Sequence, residues 1–481
     1  MGANVEHADR WQRIRKWLFL VACAIMFVQI LCGIIWTAAN YDTIPGFGDS
    51  GEYINLSETM SLDEYRPVLY PLLIRLARSI DEEHFHRYIY ALQLSLSLFC
   101  MSYAVFVLDS VYTGKKGRFT FGRLGMWIYG GLYLSMIPMI AFMNLTILTD
   151  SIANSLLVLM LAVSIQIIYG RNASIGKGLV LAVAMIGQCL IRADRLYSGL
   201  LILAILTVIA TVRSPGYRRK LLLGGLCIAC ITYGVFRVVS GVTQVQGRNG
   251  RIQTDLNFIL LDRIVWPHMT ENYEYFPEEI RGNISLEEAQ LFDQHNNNVM
   301  YNTAPMLESR VGREKAGEFY RKMAQVVWER QSEVVLKTIG ETTLRVLTVP
   351  LTHYQCISGW YTQSNIPWNI RCLSNETPEW TVQYDKTGFF VAVVMLVLGL
   401  AVRTIDRILG CFPKRPFVLA PFLVASIVLC LWFTLGDGAP LNDRYMLIIY
   451  VTYSLWPLTA WYSNPIKRIK GQTESGGNSD E

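Results

Sequence analysis

Ten apolar runs succeed one another along the chain: Trp17 to Ala39, Tyr88 to Val111, Leu124 to Met143, Ser151 to Tyr169, Ile175 to Ile191, Leu196 to Val212, Leu221 to Val239, Phe389 to Val402, Phe417 to Leu435 and Tyr445 to Trp461. A bilayer core of about 30 Å takes about 20 helical residues to cross. The pattern therefore predicts about ten transmembrane helices, the eighth lengthened by Thr387 and Gly388. The fifth and sixth runs are short for a crossing, which draws the turn Arg192-Ala193-Asp194-Arg195 to the bilayer rim. Charges at that depth are expensive unless they are paired or face a polar cavity.

Two other patterns complete the organisation. Between the first two runs, Arg66 to Arg78 reads as an apolar helical stretch too punctuated by arginine to span, an interfacial or re-entrant helix. Ser240 to Lys386 is the one long hydrophilic segment, and its charged faces with apolar residues at helical spacing predict helices over Leu286 to Met300 and Glu308 to Leu347. Val242 to Thr254 and Tyr361 to Thr381 read as loops. The expected fold is an all-α polytopic membrane protein with a mainly helical external domain. It divides into a membrane module of seven spans (1–239), the external domain (240–386), a second membrane module of three spans (387–463) and a disordered tail (464–481).

Basic residues resist translocation, so their distribution orients the spans. Arg13, Arg15 and Lys16, then Lys115, Lys116 and Arg118, Arg171 and Lys177, and Arg213 to Lys220 mark every second loop, as do Arg403 to Arg415 and Lys467 to Lys470. The expectation is a cell-membrane protein with both termini in the cytoplasm. The first run is longer than the apolar core of a signal peptide and has no small-residue cleavage site before Asp49, so it is expected to stay attached.

Composition agrees: 52% hydrophobic over 481 residues exceeds what a soluble enzyme carries. The net charge of +5 calls for no nucleic-acid partner. Of ten cysteines, only Cys356 and Cys372 share the external segment, where they either pair or stand as two free thiols. No glycine-rich phosphate loop stands between a strand and a helix on the inner side, which argues against a nucleotide-driven pump.

The outer connections hold the candidate chemistry. Asp49, Glu52 and Arg66 follow the first span, Asp150 starts the fourth, Arg192, Asp194 and Arg195 join the fifth to the sixth, and Asp437, Asp443 and Arg444 precede the tenth. Carboxylates together with guanidinium groups suit a reaction that needs a base for an acceptor hydroxyl and cations for a phosphate leaving group. Arginine matches phosphate oxygens with planar donors and stays charged at an interface. Each residue also has a plainer reading, with Asp49 and Asp150 as helix caps and Arg192 and Arg195 as partners of Asp194 or as membrane anchors. The six histidines offer no metal spacing, and the absence of one inside a predicted span disfavours an acyltransferase.

Gly46 to Tyr53 followed by Arg66 to Leu73 resembles the start of the GT-C superfamily of integral-membrane glycosyltransferases, whose members use polyprenyl-phosphate sugars. Asn144 to Ser151 is similar to the family's second acidic loop, and Asn442 to Tyr445 to an arginine-tyrosine pair before a late span. Ser50 stands where many relatives carry an acidic residue. The resemblance covers mainly the first two hundred residues. It implies Asp49, with Glu52 beside it, as base or acceptor-binding carboxylate and Asp150 as a second acidic residue near the site. Arg66, Arg192, Arg195 and Arg444 become candidates for the donor phosphate.

The expected reaction is an inverting transfer from a lipid-phosphate sugar donor to a lipid-linked or surface glycan acceptor at the external face of the cell envelope. The one candidate cofactor is a divalent cation. A magnesium or manganese ion shared by Asp49 and Glu52, and neutralisation by arginine alone, both stay open. A transporter or flippase of lipid-linked sugars is the alternative, although such proteins place polar residues near the midplane of their spans.

Overall fold

The computed structural model describes residues 49–61, 66–113, 144–170, 174–243, 260–294, 303–348 and 420–436, with isolated helical positions within 17–39 and at 394, 397, 401 and 452. The described residues are helical, with no strand among them. The first, third, eighth and tenth expected spans lie, apart from those isolated positions, outside the described residues. So do Asp437, Asp443, Arg444, Cys356 and Cys372.

Two short helices open the described part, α1 (Ser50–Thr59) and α2 (Leu69–Ile80). Five long ones follow: α3 (Phe85–Thr113), α4 (Asp150–Gly170), α5 (Ile175–Ile191), α6 (Arg195–Arg213) and α7 (Arg218–Thr243). Within them Phe85–Ser110, Asp150–Tyr169, Arg195–Arg213 and Arg218–Val242 are long and apolar enough to cross a membrane, and α5 is a shorter apolar helix. At 1.5 Å per residue, the 20 residues of Asp150–Tyr169 extend about 30 Å, the thickness of a bilayer core. The protein is an all-α, multi-pass membrane protein.

Helix α4 is the most enclosed of the four, with α3 and α5 packed along it. Ala153, Val158, Leu161, Ala162 and Ile165 are buried there. The outer faces of the surrounding helices present Phe99, Phe106, Val183, Val208, Leu223 and Val238 outward, as lipid-facing helices do. Helices α6 and α7 come together at Gly225, where a Cβ would lie 2.6 Å from Thr207 Oγ1. Only glycine permits that approach. At the far end of the bundle the Arg213 guanidinium lies 4.4 Å over the Tyr169 ring, joining the C-terminal ends of α6 and α4.

Helix α2 buries Tyr70, Ile74 and Ala77 against the bundle and exposes Leu72, Leu76 and Ile80 on the opposite stripe. An apolar outer stripe on a helix too short to span fits the expected interfacial helix. Arg78, bridged to Glu58 of α1 and to Glu82, ties it to its neighbour.

Residues 260–294 and 303–348 build a second core. After single turns at Leu261–Asn272 and Tyr273–Tyr275 come α8 (Glu278–Arg281), α9 (Leu286–Gln294), α10 (Thr303–Val311) and α11 (Arg313–Thr348). Phe276, Ile280, Leu307, Phe319, Met323 and Val327 meet in its interior. The helix expected over Glu308 to Leu347 is divided at Gly312, whose φ of 81° ends α10 with its N–H on Glu308 O. A left-handed residue at a helix end is a glycine position. Gln331 interrupts α11 with φ −137°, its side chain bonded to Asn272 and Glu271. The last described helix, α12 (Ala420–Gly436), packs on α6 and α11, and its Ser426 Oγ lies 2.9 Å from Thr452 Oγ1.

Candidate functional site

The N-terminal ends of α1, α4 and α6 and the C-terminal end of α5 meet at one end of the bundle. Asp49 stands immediately before α1. Its backbone carbonyl accepts from the N–H groups of Glu52 and Tyr53, at 3.1 Å each, while its carboxylate makes no capping bond. The carboxylate turns instead to Arg66, whose Nη2 lies 3.5 Å from Asp49 Oδ1 and contacts Glu52 Oε2 directly. The Asp49 side chain is 36% exposed, Glu52 61% and Arg66 15%. The arginine is thus the inner member of the trio, its guanidinium 5.3 Å from the centre of the Tyr53 ring. Tyr53 meets Tyr70 edge to face at 5.1 Å.

Three groups hold this trio against the loop that leads into α4. Ser50, buried, donates through Oγ to Ile147 O at 3.0 Å. Tyr53 Oη lies 3.5 Å from Thr149 Oγ1. Gln93 of α3 donates through Nε2 to Asn144 O at 3.1 Å and Thr146 O at 2.8 Å, and accepts from Tyr70 Oη at 2.7 Å. From the first turn of α4, Ser151 Oγ donates to Asn144 Oδ1 of the loop at 2.6 Å. The loop has little backbone pairing of its own, so these side chains satisfy its buried carbonyls.

The loop delivers Asp150, fully buried as the first residue of α4. Arg192 Nη1 donates to its Oδ1 at 2.6 Å, and the same guanidinium donates to both oxygens of Asp194, at 3.1 Å from Nε and 3.0 Å from Nη2. Arg195 adds a contact at 4.0 Å to Asp194 Oδ1 and a bond of 3.5 Å to Asn154 Oδ1, one turn along α4 from Asp150. Two carboxylates and two guanidinium groups balance formally, which is the condition for keeping four charges out of water. The site therefore has two layers: a water-accessible trio of Asp49, Glu52 and Arg66, and beneath it the enclosed quartet of Asp150, Arg192, Asp194 and Arg195.

Sequence reasoning placed all seven at one membrane face but gave no role to Gln93, Tyr53, Tyr70 or Asn154. A glutamine inside an otherwise apolar run was the signal for Gln93, and the four-residue spacing from Asp150 was the signal for Asn154. Among the described residues, no three His, Cys, Asp or Glu side chains converge as a metal cage would require.

No protein-family model and no curated protein matches the chain. Solved structures do. The crystal structure of ArnT from Cupriavidus metallidurans bound to undecaprenyl phosphate shares 14% identity over 92% of this chain and 77% of that one, with a TM-score of 0.33. The apo state of ArnT from the same organism gives 14%, 92%, 76% and 0.34. Within this chain, the segments around Asp49 and around Asp150 are in contact through Ser50 and Tyr53.

Proposed function

We propose that the protein is a membrane glycosyltransferase that takes a sugar from a polyprenyl-phosphate donor and places it on a lipid-linked or surface acceptor at the external face. One observation carries this reading: at the rim of an apolar helix bundle Arg66, three residues before α2, stands against both Asp49 and Glu52 at the start of α1, the helix that Ser50 ties to the loop leading into Asp150. A carboxylate and a phosphate-matching cation share one accessible place beside the lipid. The basic loops at the opposite end support the external orientation.

In this mechanism Asp49 takes the proton of the acceptor hydroxyl. The freed oxygen pair forms a bond to the anomeric carbon while the bond from that carbon to the phosphate oxygen breaks, and its electrons leave with the polyprenyl phosphate. A single displacement of this kind inverts the anomeric centre. Arg66, shifting from the carboxylates toward the leaving group, meets the charge that develops on the phosphate. Glu52 retains the guanidinium near the site between turnovers. The quartet below keeps the loop and the ends of α4, α5 and α6 in register. Arg192 and Arg195, enclosed and directed to Asp194, Asp150 and Asn154, serve the donor through that positioning or through rearrangement on binding.

Transfer from a radiolabelled lipid donor by the Asp49→Asn variant tests the reading. A loss of two orders of magnitude or more supports the base role, a range that general-base catalysis commonly supplies. Undiminished transfer removes it, and movement of the lipid-linked sugar across the bilayer without transfer favours a flippase. Activity that survives a strong chelator assigns phosphate neutralisation to arginine.

A further inference from the structure

The opposite end of the bundle holds a feature that the transfer reaction does not use. A cavity of about 290 Å³ lies between α4, α5, α6 and α7, walled by Ile168, Leu181, Leu206 and Ile228 and, on α5 and α7, by Gly178 and Gly224. Ser174 and Lys220, at the N-terminal ends of α5 and α7, line its polar side. From Lys220 to Ile228 the wall runs about 12 Å along the helix, entirely apolar or glycine after the lysine. The volume is near the lower bound of small-molecule pockets, about 300 Å³, and suits part of one hydrocarbon chain.

Its polar side is basic. The N-terminal end of a helix carries a partial positive charge, which favours acids and disfavours bases. The first turns of α5 and α7 hold no acidic residue, and they carry Lys177 on one and Arg218, Arg219 and Lys220 on the other. Among the described residues, no carboxylate forms an ion pair with Arg218, Arg219 or Lys220. Two positive helix ends and Lys220 thus stand at the polar side of an apolar slot, with Arg218 and Arg219 next to Lys220 in sequence. An anion joined to a hydrocarbon chain satisfies both halves.

We propose that this cleft binds one anionic phospholipid of the surrounding bilayer, its phosphate at Lys220 and the N-terminal ends of α5 and α7, and one acyl chain laid over Gly178 and Gly224. Basic pockets between transmembrane helices on the inner side of a membrane recognise acidic lipid headgroups in this way. The glycines supply the room: a Cβ built on either meets nothing within 4 Å, so the space above them belongs to the cleft. The site lies at the other end of the spans from Asp49 and stands whether or not the protein transfers sugar.

The test is native mass spectrometry of the full chain in detergent after delipidation, with phosphatidylglycerol or phosphatidylcholine of matched chains added back. The wild type is expected to retain a single phosphatidylglycerol about tenfold better than phosphatidylcholine. Lys220→Gln lowers phosphatidylglycerol retention by about fivefold and leaves phosphatidylcholine unchanged. Gly178→Leu and Gly224→Leu, one in each wall, abolish retention while helicity and elution volume stay those of the wild type. Equal retention of the two lipids, or retention of phosphatidylglycerol by both leucine variants, overturns the proposal. Preferential capture of polyprenyl phosphate that Lys220→Gln abolishes overturns the choice of a bilayer phospholipid.

Discussion

Arg192 donates to Asp150 at 2.6 Å across 42 positions of sequence, and the same guanidinium is forked on Asp194. The bond closes the turn between α5 and α6 onto the first turn of α4. Both partners are enclosed, Asp150 completely, so removing one strands a charge instead of exposing it to water. Arg192→Ala is expected to destabilise the protein by about 3–5 kcal/mol, the range for breaking one side of a buried pair. Asp150→Asn combined with Arg192→Gln, which removes both charges, recovers part of that loss. Thermal unfolding in detergent checks both, and an Arg192→Ala variant that melts with the wild type would remove the quartet as the brace of the site.

Arg66 predicts the opposite separation of stability from activity. Its two carboxylate partners are 36% and 61% exposed, so the ion pairs contribute only about 0–1 kcal/mol. If the guanidinium meets developing phosphate charge, Arg66→Ala lowers the rate of transfer by about 100-fold or more with little change in unfolding temperature. Arg66→Lys retains the charge but loses the planar fork and falls between the two. A melting temperature that falls in step with activity would make the residue structural.

The spans were readable because an apolar run between charges carries its own boundaries. Ile175 to Ile191 is the helix α5 residue for residue, and Ser151 to Tyr169 lies one residue inside each end of α4. The leucine and isoleucine spacing after Arg66 likewise showed α2. Which arginine meets which carboxylate was not readable, because Arg66, Arg192 and Arg195 are chemically alike and hydropathy brings all three to the same rim. Nor were the anchors of the loop at 144–149: Ser50 and Tyr53 reach it across nearly a hundred positions, and no periodicity links residues so far apart. The break at Gly312 was present in the sequence as a glycine between two helical patterns, yet the charged face runs through it unbroken.

Gln93 tests that hidden layer. Its amide bonds two carbonyls of the loop and the Tyr70 hydroxyl, all buried. Gln93→Leu leaves three polar groups without that partner, and each buried group so stranded costs about 1–3 kcal/mol. Gln93→Glu keeps the shape and an acceptor for Tyr70 but, when ionised, has nothing to donate to the Asn144 and Thr146 carbonyls. Both variants are expected to unfold at lower temperature, and both loosen the loop that sets Asp150 in place. Cleavage by a protease at 144–149 should become faster in each, and unaltered cleavage would mean that Ser50 and Tyr53 suffice to hold it.

The second core offers a pH dependence whose sign is fixed by one ion pair. Glu288 accepts from Arg310 through both oxygens and forms a reciprocal cap with Ser285, each residue's N–H bonded to the other's side chain at the start of α9. The Arg310 bonds, together with the Ser285 N–H, hold its carboxyl down at about 2 against an ordinary 4.5, over an opposing push from partial burial. A carboxyl depressed in the folded state stabilises above its unfolded value, and the contribution disappears as pH falls from about 4.5 toward 2. Both side chains are partly exposed, so solvent screening limits the effect to about 1 kcal/mol. Amide protection factors over Leu286–Gln294 should therefore drop severalfold between pH 6 and pH 2.5 in the wild type. In Glu288→Gln they start lower at pH 6 and change less. A variant that loses protection on acidification as steeply as the wild type would show that a different group controls the acid response of this helix.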